Sequence, residues 1–264
     1  YYTLLFGDKY RVKIATRNVN IPGIQNFRDL GGYPSYSTKK QVRWGMIYRS
    51  AEIDSLECYS RRELRNLGIK TLIDLRASSE TGRQSPLQKE FNVVHIPLAT
   101  GDMENILKGI REEKIKSDTV YRMVEQMNRD LIDKYTTEYR QIFDILLDKN
   151  SYPVVIHCSS GKGRTGIVSA LVLAALGINE DIIMEDYRLS NDYFNIPSAS
   201  KDAYQLPARS QEAITTLFSA REDFLNAAKE EAERRYGDID SYLQKGIGLN
   251  KDEIKRLRSI LLSD

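Results

Sequence analysis

Apolar and polar positions along this chain follow two rhythms, one of period two and one near 3.6, and their alternation predicts an α/β domain. Tyr10–Ile14 alternates polar and apolar and reads as an isolated strand. Ile47, Tyr48 and Arg49 form a further strand-like step after the turn marked by Gly31, Gly32 and Pro34. Residues 71–75 are apolar and β-rich, the pattern of a strand covered on both faces. Residues 92–98 repeat that pattern up to Pro97, and residues 153–156 are so apolar that they belong at the centre of a sheet. Between these runs the period lengthens. Residues 60–67 predict a helix with Ser60 as N-cap, Glu63 completing a capping box and Gly68 ending it. Ile132, Tyr135, Tyr139, Ile142, Phe143 and Leu146 predict one amphipathic helix over 131–147. Helices are also expected over 164–176, 179–189 and 210–235, the last ending near Gly237, and over 251–262 with Asn250 as N-cap. Residues 100–130 are polar with weak periodicity, and 192–206 read as a mobile insert; a lid is expected from 100–130 or from 192–235.

Composition narrows the class. The 264 residues are 41% hydrophobic and 29% charged, a globular balance rather than a disordered one. Lys and Arg number 39 against 37 Asp and Glu, so the net charge of +2 supplies no strong basic field for nucleic acid. The longest apolar stretch, 167–176, is about half the ~20 residues a transmembrane helix needs. Two Cys and two His are too few for a disulfide framework or an ordinary zinc site. A collagen, a coiled coil, a membrane channel and a zinc finger are excluded. Residues 1–18 are expected to be a leader or the remnant of an upstream domain, and 19–264 the functional domain. Secreted, periplasmic and cytoplasmic locations all stay open, as does the oligomeric state.

The chemistry concentrates between a strand ending at His157 and a helix starting near Arg164. Cys158, Ser159, Ser160, Gly161, Lys162 and Gly163 lie between them. Small residues at a helix N-terminus make a nest of backbone N–H groups, which binds an anion without side chains. Gly161 and Gly163 are expected to supply the dihedrals such a loop requires. The loop lacks the Gly-Lys-Ser/Thr ending of a nucleotide-binding loop. Cys158 at the base of the nest would have its thiol pKa lowered and so be nucleophilic at neutral pH. Arg164 would clamp two phosphoryl oxygens, Thr165 would offer its hydroxyl to the sulfur, and His157 would orient the loop. Lys162 is either a contact to a second phosphate or a solvated rim residue.

The sequence His-Cys-x5-Arg-Thr-Gly resembles the signature of the cysteine-dependent protein tyrosine and dual-specificity phosphatases. Asn26-Phe27-Arg28-Asp29-Leu30-Gly31-Gly32, Tyr48-Arg49-Ser50, Ile73-Asp74-Leu75-Arg76, Asp186-Tyr187, Ser190-Asn191-Asp192 and the tail from Tyr236-Gly237 to Tyr242-Leu243 resemble one bacterial branch of atypical tyrosine and lipid phosphatases, typified by a secreted mycobacterial member. The resemblance implies a three-layer cysteine-phosphatase fold, a central mostly parallel sheet flanked by helices, with a helical lid insert. It also implies hydrolysis of phosphotyrosine, or of phosphoserine and phosphothreonine, in proteins through a phosphocysteine, with no cofactor and no metal. The substrate would be a phosphorylated protein or a phosphoinositide. One position departs from the branch: Gly163 stands where it has Asp, and the resulting Gly-Lys-Gly-Arg is similar to the loop of eukaryotic 3-phosphoinositide phosphatases. Loss of that carboxylate is expected to favour polyanionic substrates.

A leaving oxygen needs a proton. By resemblance the acid lies after Pro97, which points to Asp102 beside Gly101, with Glu104 in reserve. An exposed carboxylate or a helix cap is the competing reading of Asp102. Asp74 with Arg76, and Asp29 with Arg28, read as structural ion pairs. His95 reads as packing and Cys58 as a free thiol. A phospho-ligand receptor with weak turnover, and a related arsenate or sulfur-transfer chemistry, are the alternatives to hydrolysis.

Overall fold

Which side of a sheet a residue faces is set by the parity of its position, and the five-stranded sheet at the centre of this chain obeys it. The computed structural model describes residues 2–7, 10–54, 56–81, 86–200 and 202–263. Its strands are β1 (Tyr2–Phe6), β2 (Tyr10–Ile14), β3 (Arg28–Asp29), β4 (Pro34–Ser35), β5 (Lys40–Val42), β6 (Ile47–Ser50), β7 (Thr71–Asp74), β8 (Asn92–His95), β9 (Val154–His157) and β10 (Leu262–Ser263). The helices are α1 (Cys58–Asn66), α2 (Met103–Arg111), α3 (Ser117–Lys134), α4 (Thr136–Leu147), α5 (Gly163–Ala175), α6 (Glu180–Arg188), α7 (Ser190–Tyr193), α8 (Ile196–Ala199), α9 (Ala208–Phe218), α10 (Glu222–Tyr236), α11 (Ile239–Ser241) and α12 (Lys251–Leu261). The central sheet has the order β3-β6-β9-β7-β8, parallel except for β3.

Tyr48, Val155, Leu72 and Val93 form one row across this sheet and pack with Phe27, Ile53 and Leu64 on the α1 side. The next row, Ile156, Ile73 and Val94, faces the larger core with Phe143 of α4 and Ile167 and Leu171 of α5. Helices therefore cover both faces, and β9 is the central strand that its apolar sequence implies. A third cluster joins α2, α3 and α9 through Ile106, Ile110, Val120, Ala213 and Ile214. It forms a helical layer.

Several expected elements differ. Tyr10–Ile14 is not isolated; it pairs antiparallel with β1, because Leu4, Leu5 and Phe6 supply a second extended run. The helix expected at Ser60 starts at Cys58, and the Ser60 hydroxyl donates to Pro22 O at 2.6 Å instead of capping. The polar run 100–130 folds as α2 and most of α3, whose apolar residues meet α9. Residues 131–147 are two helices. Tyr135 leaves helical geometry at φ −120° between them, and its hydroxyl is held by Ala99 N and Ala99 O at 3.1 and 3.0 Å. Residues 210–235 also split, into α9 and α10. Asn191 holds the break through Ala220 N at 2.7 Å and Ala220 O at 3.0 Å. The insert 192–206 contains α8 and a short 3-10 turn at Ala203–Gln205, while its Lys201 lies outside the described residues. Asn250 caps α12 with Glu253 as a full capping box, and Gly237 ends α10 at φ +96°.

Candidate active site

β9 delivers Cys158 to the carboxyl end of the central strand, and α5 begins five residues later. The intervening turn is held from behind by backbone acceptors. Asn26 Nδ2 donates to Ser160 O and Gly161 O at 3.0 and 3.1 Å, and Arg49 Nη2 donates to Gly161 O at 2.8 Å. With those carbonyls drawn outward, the loop can turn N–H groups towards the sulfur, and Gly161 N and Thr165 N both act on it. Gly161 has φ +69°, and an added Cβ would lie 2.5 Å from the Ser50 carbonyl. Gly163 has no such need. It starts α5 without a positive φ, and the nearest atom to its added Cβ is Asn128 Oδ1 at 4.0 Å. The expectation that both glycines serve the dihedrals therefore holds for Gly161 alone.

Asn26 and Arg49 belong to a fully buried polar group. Arg49 Nη1 donates to Asp186 Oδ2 at 2.6 Å, and Arg28 Nη2 donates to Asp186 O at 2.7 Å and Ser190 Oγ at 3.1 Å. Tyr33 donates its hydroxyl to Asp186 Oδ1 at 2.9 Å, and Arg28 also donates to Asn26 Oδ1. Burial would raise the Asp186 carboxyl, but the two guanidiniums outweigh it and hold it at about 2. Arg28 thus pairs with Asp186, not with Asp29 as its neighbour in sequence suggests. Asp29 instead accepts from Gly31 N and Gly45 N, each at 2.7 Å.

Cys158 is 1% exposed. Burial alone would push its thiol up. The Arg164 charge, the Thr165 hydroxyl and the N–H groups of Thr165 and Gly161 reverse that, and the thiol lies below its ordinary value. Thr165 Oγ1 is buried with no partner of ordinary hydrogen-bond geometry among the described residues, which leaves its proton to the sulfur. Arg164 is buried and its plane is fixed. Both Nη atoms donate to Glu80, Nη2 at 2.8 Å, and Nη2 also lies 3.1 Å from Ser159 Oγ. Ser159 in turn donates to Glu80 Oε1 at 2.7 Å, and Ala77 N donates to Glu80 Oε2 at 2.8 Å. Burial works against ionisation of Glu80, yet Arg164 and Ser159 hold its carboxyl at about 2. Nη1 also donates to Leu98 O at 3.3 Å, so both Nη groups are engaged here, and a phosphoryl group would be received by exchange of these contacts or at Nε.

Cys158, Ser160, Lys162, Gly163 and Arg164 line one cleft of about 80 Å3, covered by residues from α3, α9 and α10. Lys162 is 4% exposed, so it is not the solvated rim residue of the sequence reading. Its Nζ lies 5.1 Å from the ring centroids of both Phe194 and Phe218. Asp102 is exposed, caps α2 by accepting from Asn105 N at 3.0 Å, and is absent from the cleft lining. Glu104 follows it in the exposed first turn. His157 is buried; burial drives its pKa down to about 4, and Nδ1 stands 4.0 Å from Asp74 Oδ1. It is a neutral ring beneath the loop. Asp74 is clamped by Arg76 at 2.7 to 3.2 Å, and Arg76 also grips Asp54. His95 bonds the Arg76 carbonyl at 2.7 Å rather than packing, and Cys58 is exposed and free. A larger apolar cavity of about 420 Å3 runs beside α5, α6 and α10, but none of the loop residues line it.

Glu80, Asn26, Arg28, Arg49 and Asp186 escaped the sequence reading as site residues. The quoted motifs contain four of them, and the signal was there: charged residues placed on apolar strands and helices need buried partners. Which partners they take is a matter of the fold.

A buried thiol held below its ordinary value among loop N–H groups, with an arginine beside it, is the arrangement expected of a cysteine-dependent phosphatase. The sequence profile of the tyrosine phosphatase family matches residues 19–263, and the chain belongs to that family. The triple specificity protein phosphatase PtpB of Mycobacterium tuberculosis is 30% identical over 92% of this chain and 98% of its own length. A tyrosine-protein phosphatase of Nostoc commune is 25% identical over 80% of this chain and 72% of its own. Among solved structures, the Siw14 catalytic core aligns with 81% of this chain and 95% of its own at 18% identity and a TM-score of 0.38.

Proposed function

We propose that this protein hydrolyses phosphotyrosine in proteins by a two-step transfer through Cys158. The thiolate attacks phosphorus in line, the phosphoryl oxygens rest on the loop N–H groups and Arg164, and water then splits the phosphocysteine. The observation that carries this reading is the buried Cys158 thiol held below its ordinary pKa by Arg164 and the loop. Glu80 holds the Arg164 guanidinium beside the thiol before substrate arrives, which supports a cation placed for the phosphoryl group. The family of the chain and the triple specificity of its mycobacterial relative support phosphomonoester substrates.

The test is phosphate release from a phosphotyrosine peptide, a phosphoserine peptide and short-chain phosphoinositides by the wild type and Cys158→Ser. The expected result is release by the wild type, with phosphotyrosine preferred, and none by the variant. Activity in the variant refutes the cysteine route. A phosphoinositide preference would favour a second reading, motivated by the open space beside Gly163 and the missing carboxylate there.

A further inference from the structure

The cleft presents a nucleophile and an arginine, but no carboxylate among the described residues that line it. The carboxylates nearby in sequence are committed elsewhere. Asp102 caps α2, Glu80 is ionised against Arg164, and Asp74 is ionised against Arg76. Burial pushes the Tyr187 hydroxyl far above the neutral range. Lys162 remains. Its Nζ is buried, has no hydrogen-bond partner among the described residues, and belongs to a side chain that lines the cleft with Cys158.

We propose that the Lys162 ammonium is the general acid of the reaction. The proposal rests on the Cys158 reading above. In the first step the S–P bond forms as the P–O bond to the leaving group breaks. The departing oxygen keeps the electron pair and takes a proton from Nζ. In the second step water adds to phosphorus and gives a proton to the neutral amine, while the S–P pair returns to sulfur. Every proton is accounted for by one side chain.

The surroundings suit this work. Cys158 and Arg164 are the other charged residues that line the cleft with Lys162, and Cys158 is the charge that acts on its ammonium; α3, α9 and α10 present Asn128, Leu217 and Phe224, which are neutral. Burial lowers the Lys162 ammonium to about 7, with the Cys158 thiolate working the other way. An acid near the working pH is both present and willing to transfer. The two phenyl faces attract the charged form without accepting its proton.

The experiment compares wild type, Lys162→Met and Lys162→Arg on two aryl phosphates, phenyl phosphate and 2,4-dinitrophenyl phosphate. Phenoxide needs a proton to leave; dinitrophenoxide does not. Lys162→Met should lose about 100-fold or more in kcat/KM, which reports only the step up to departure of the leaving group, on phenyl phosphate and less than about tenfold on the dinitrophenyl ester, the range of general acid catalysis. Lys162→Arg keeps the cation but cannot give up its proton, so it should show the same dependence on leaving group. In both variants the alkaline limb of the kcat/KM profile should move out of the neutral range. The ratio of the two esters is independent of how much protein is folded. Equal losses on both esters, or a wild-type ratio in Lys162→Arg, overturn the proposal and leave Lys162 as a binding cation. Acid quenching of the dinitrophenyl reaction in wild type should trap phosphocysteine; its absence overturns the Cys158 reading, and this proposal with it.

Discussion

Gly161 and Gly163 are two residues apart in one loop and do unrelated things. Gly161 is required by its left-handed backbone and by the Ser50 carbonyl against it, whereas Gly163 occupies an ordinary helical position with room around it. A Gly163→Asp variant should therefore fold with a melting temperature near that of the wild type. It should lose more kcat/KM on phosphoinositides than on a phosphotyrosine peptide, because the new carboxylate repels the more highly charged ligand. An unchanged ratio between the two substrates would sink the idea. His157 gives a second prediction. Its folded pKa is depressed from 6.5 to about 4, so the folded state resists its protonation. Stability is full above the unfolded value and falls as pH drops from about 6.5 towards 4, by about 3 kcal/mol in all. Urea titrations across that range should show the decline, and a folded His157→Gln variant should flatten it. Single residues in the loop were readable in the sequence because an anion nest is built from contiguous positions. Asp102 was not: a carboxylate at a helix start suits capping and acid catalysis equally, and spacing does not separate the two.

Elements were legible where one apolar rhythm matched one element. β7, β9, α5, α6 and α12 emerge close to their expected bounds. The errors share a cause. Over 131–147 and 210–235 the helical phase continues through Tyr135 and Ala220, so pattern alone joins helices that tertiary hydrogen bonds separate. The break between α9 and α10 depends on one amide, that of Asn191. Replacing it by Ala leaves the Ala220 backbone groups without these partners, and each buried orphan costs about 1–3 kcal/mol. Asn191→Ala should lower the urea midpoint, and it should also lower kcat/KM, because α9 and α10 both cover the cleft. A variant that loses stability with no change in kcat/KM would separate the break from the site. Asp186 on α6 carries a heavier load, since its loss leaves Arg28 and Arg49 buried without their counter-charge. Asp186→Asn should cost about 3–5 kcal/mol, read as a fall in the denaturation midpoint.

At the scale of the molecule, the mostly parallel sheet with helices on both faces, the central place of β9 and the position of the loop at its end were within reach of pattern and motif, whereas the strand order was not. A helical lid from 100–130 or from 192–235 was also expected, and α3, α9 and α10, which cover the cleft, come largely from those two segments; how tightly they close it was not legible. Pockets for small molecules usually measure about 300–1,000 Å3, and the cleft over Cys158 is about 80 Å3. The covering layer of α3, α9 and α10 has to part before a phosphotyrosine side chain reaches the sulfur.

The bracing of the loop also bears on how this chain can be divided. A fragment beginning after Arg49 would contain every residue from Cys158 to Thr165. It would still lack Asn26 and Arg49, which hold the Ser160 and Gly161 carbonyls, and Arg28, which neutralises Asp186 with Arg49. The signature segment would be intact and its shape gone. Competence is thus distributed between two halves that would have to be supplied together, and complementation of separately expressed pieces would restore activity only when the first carries those three side chains.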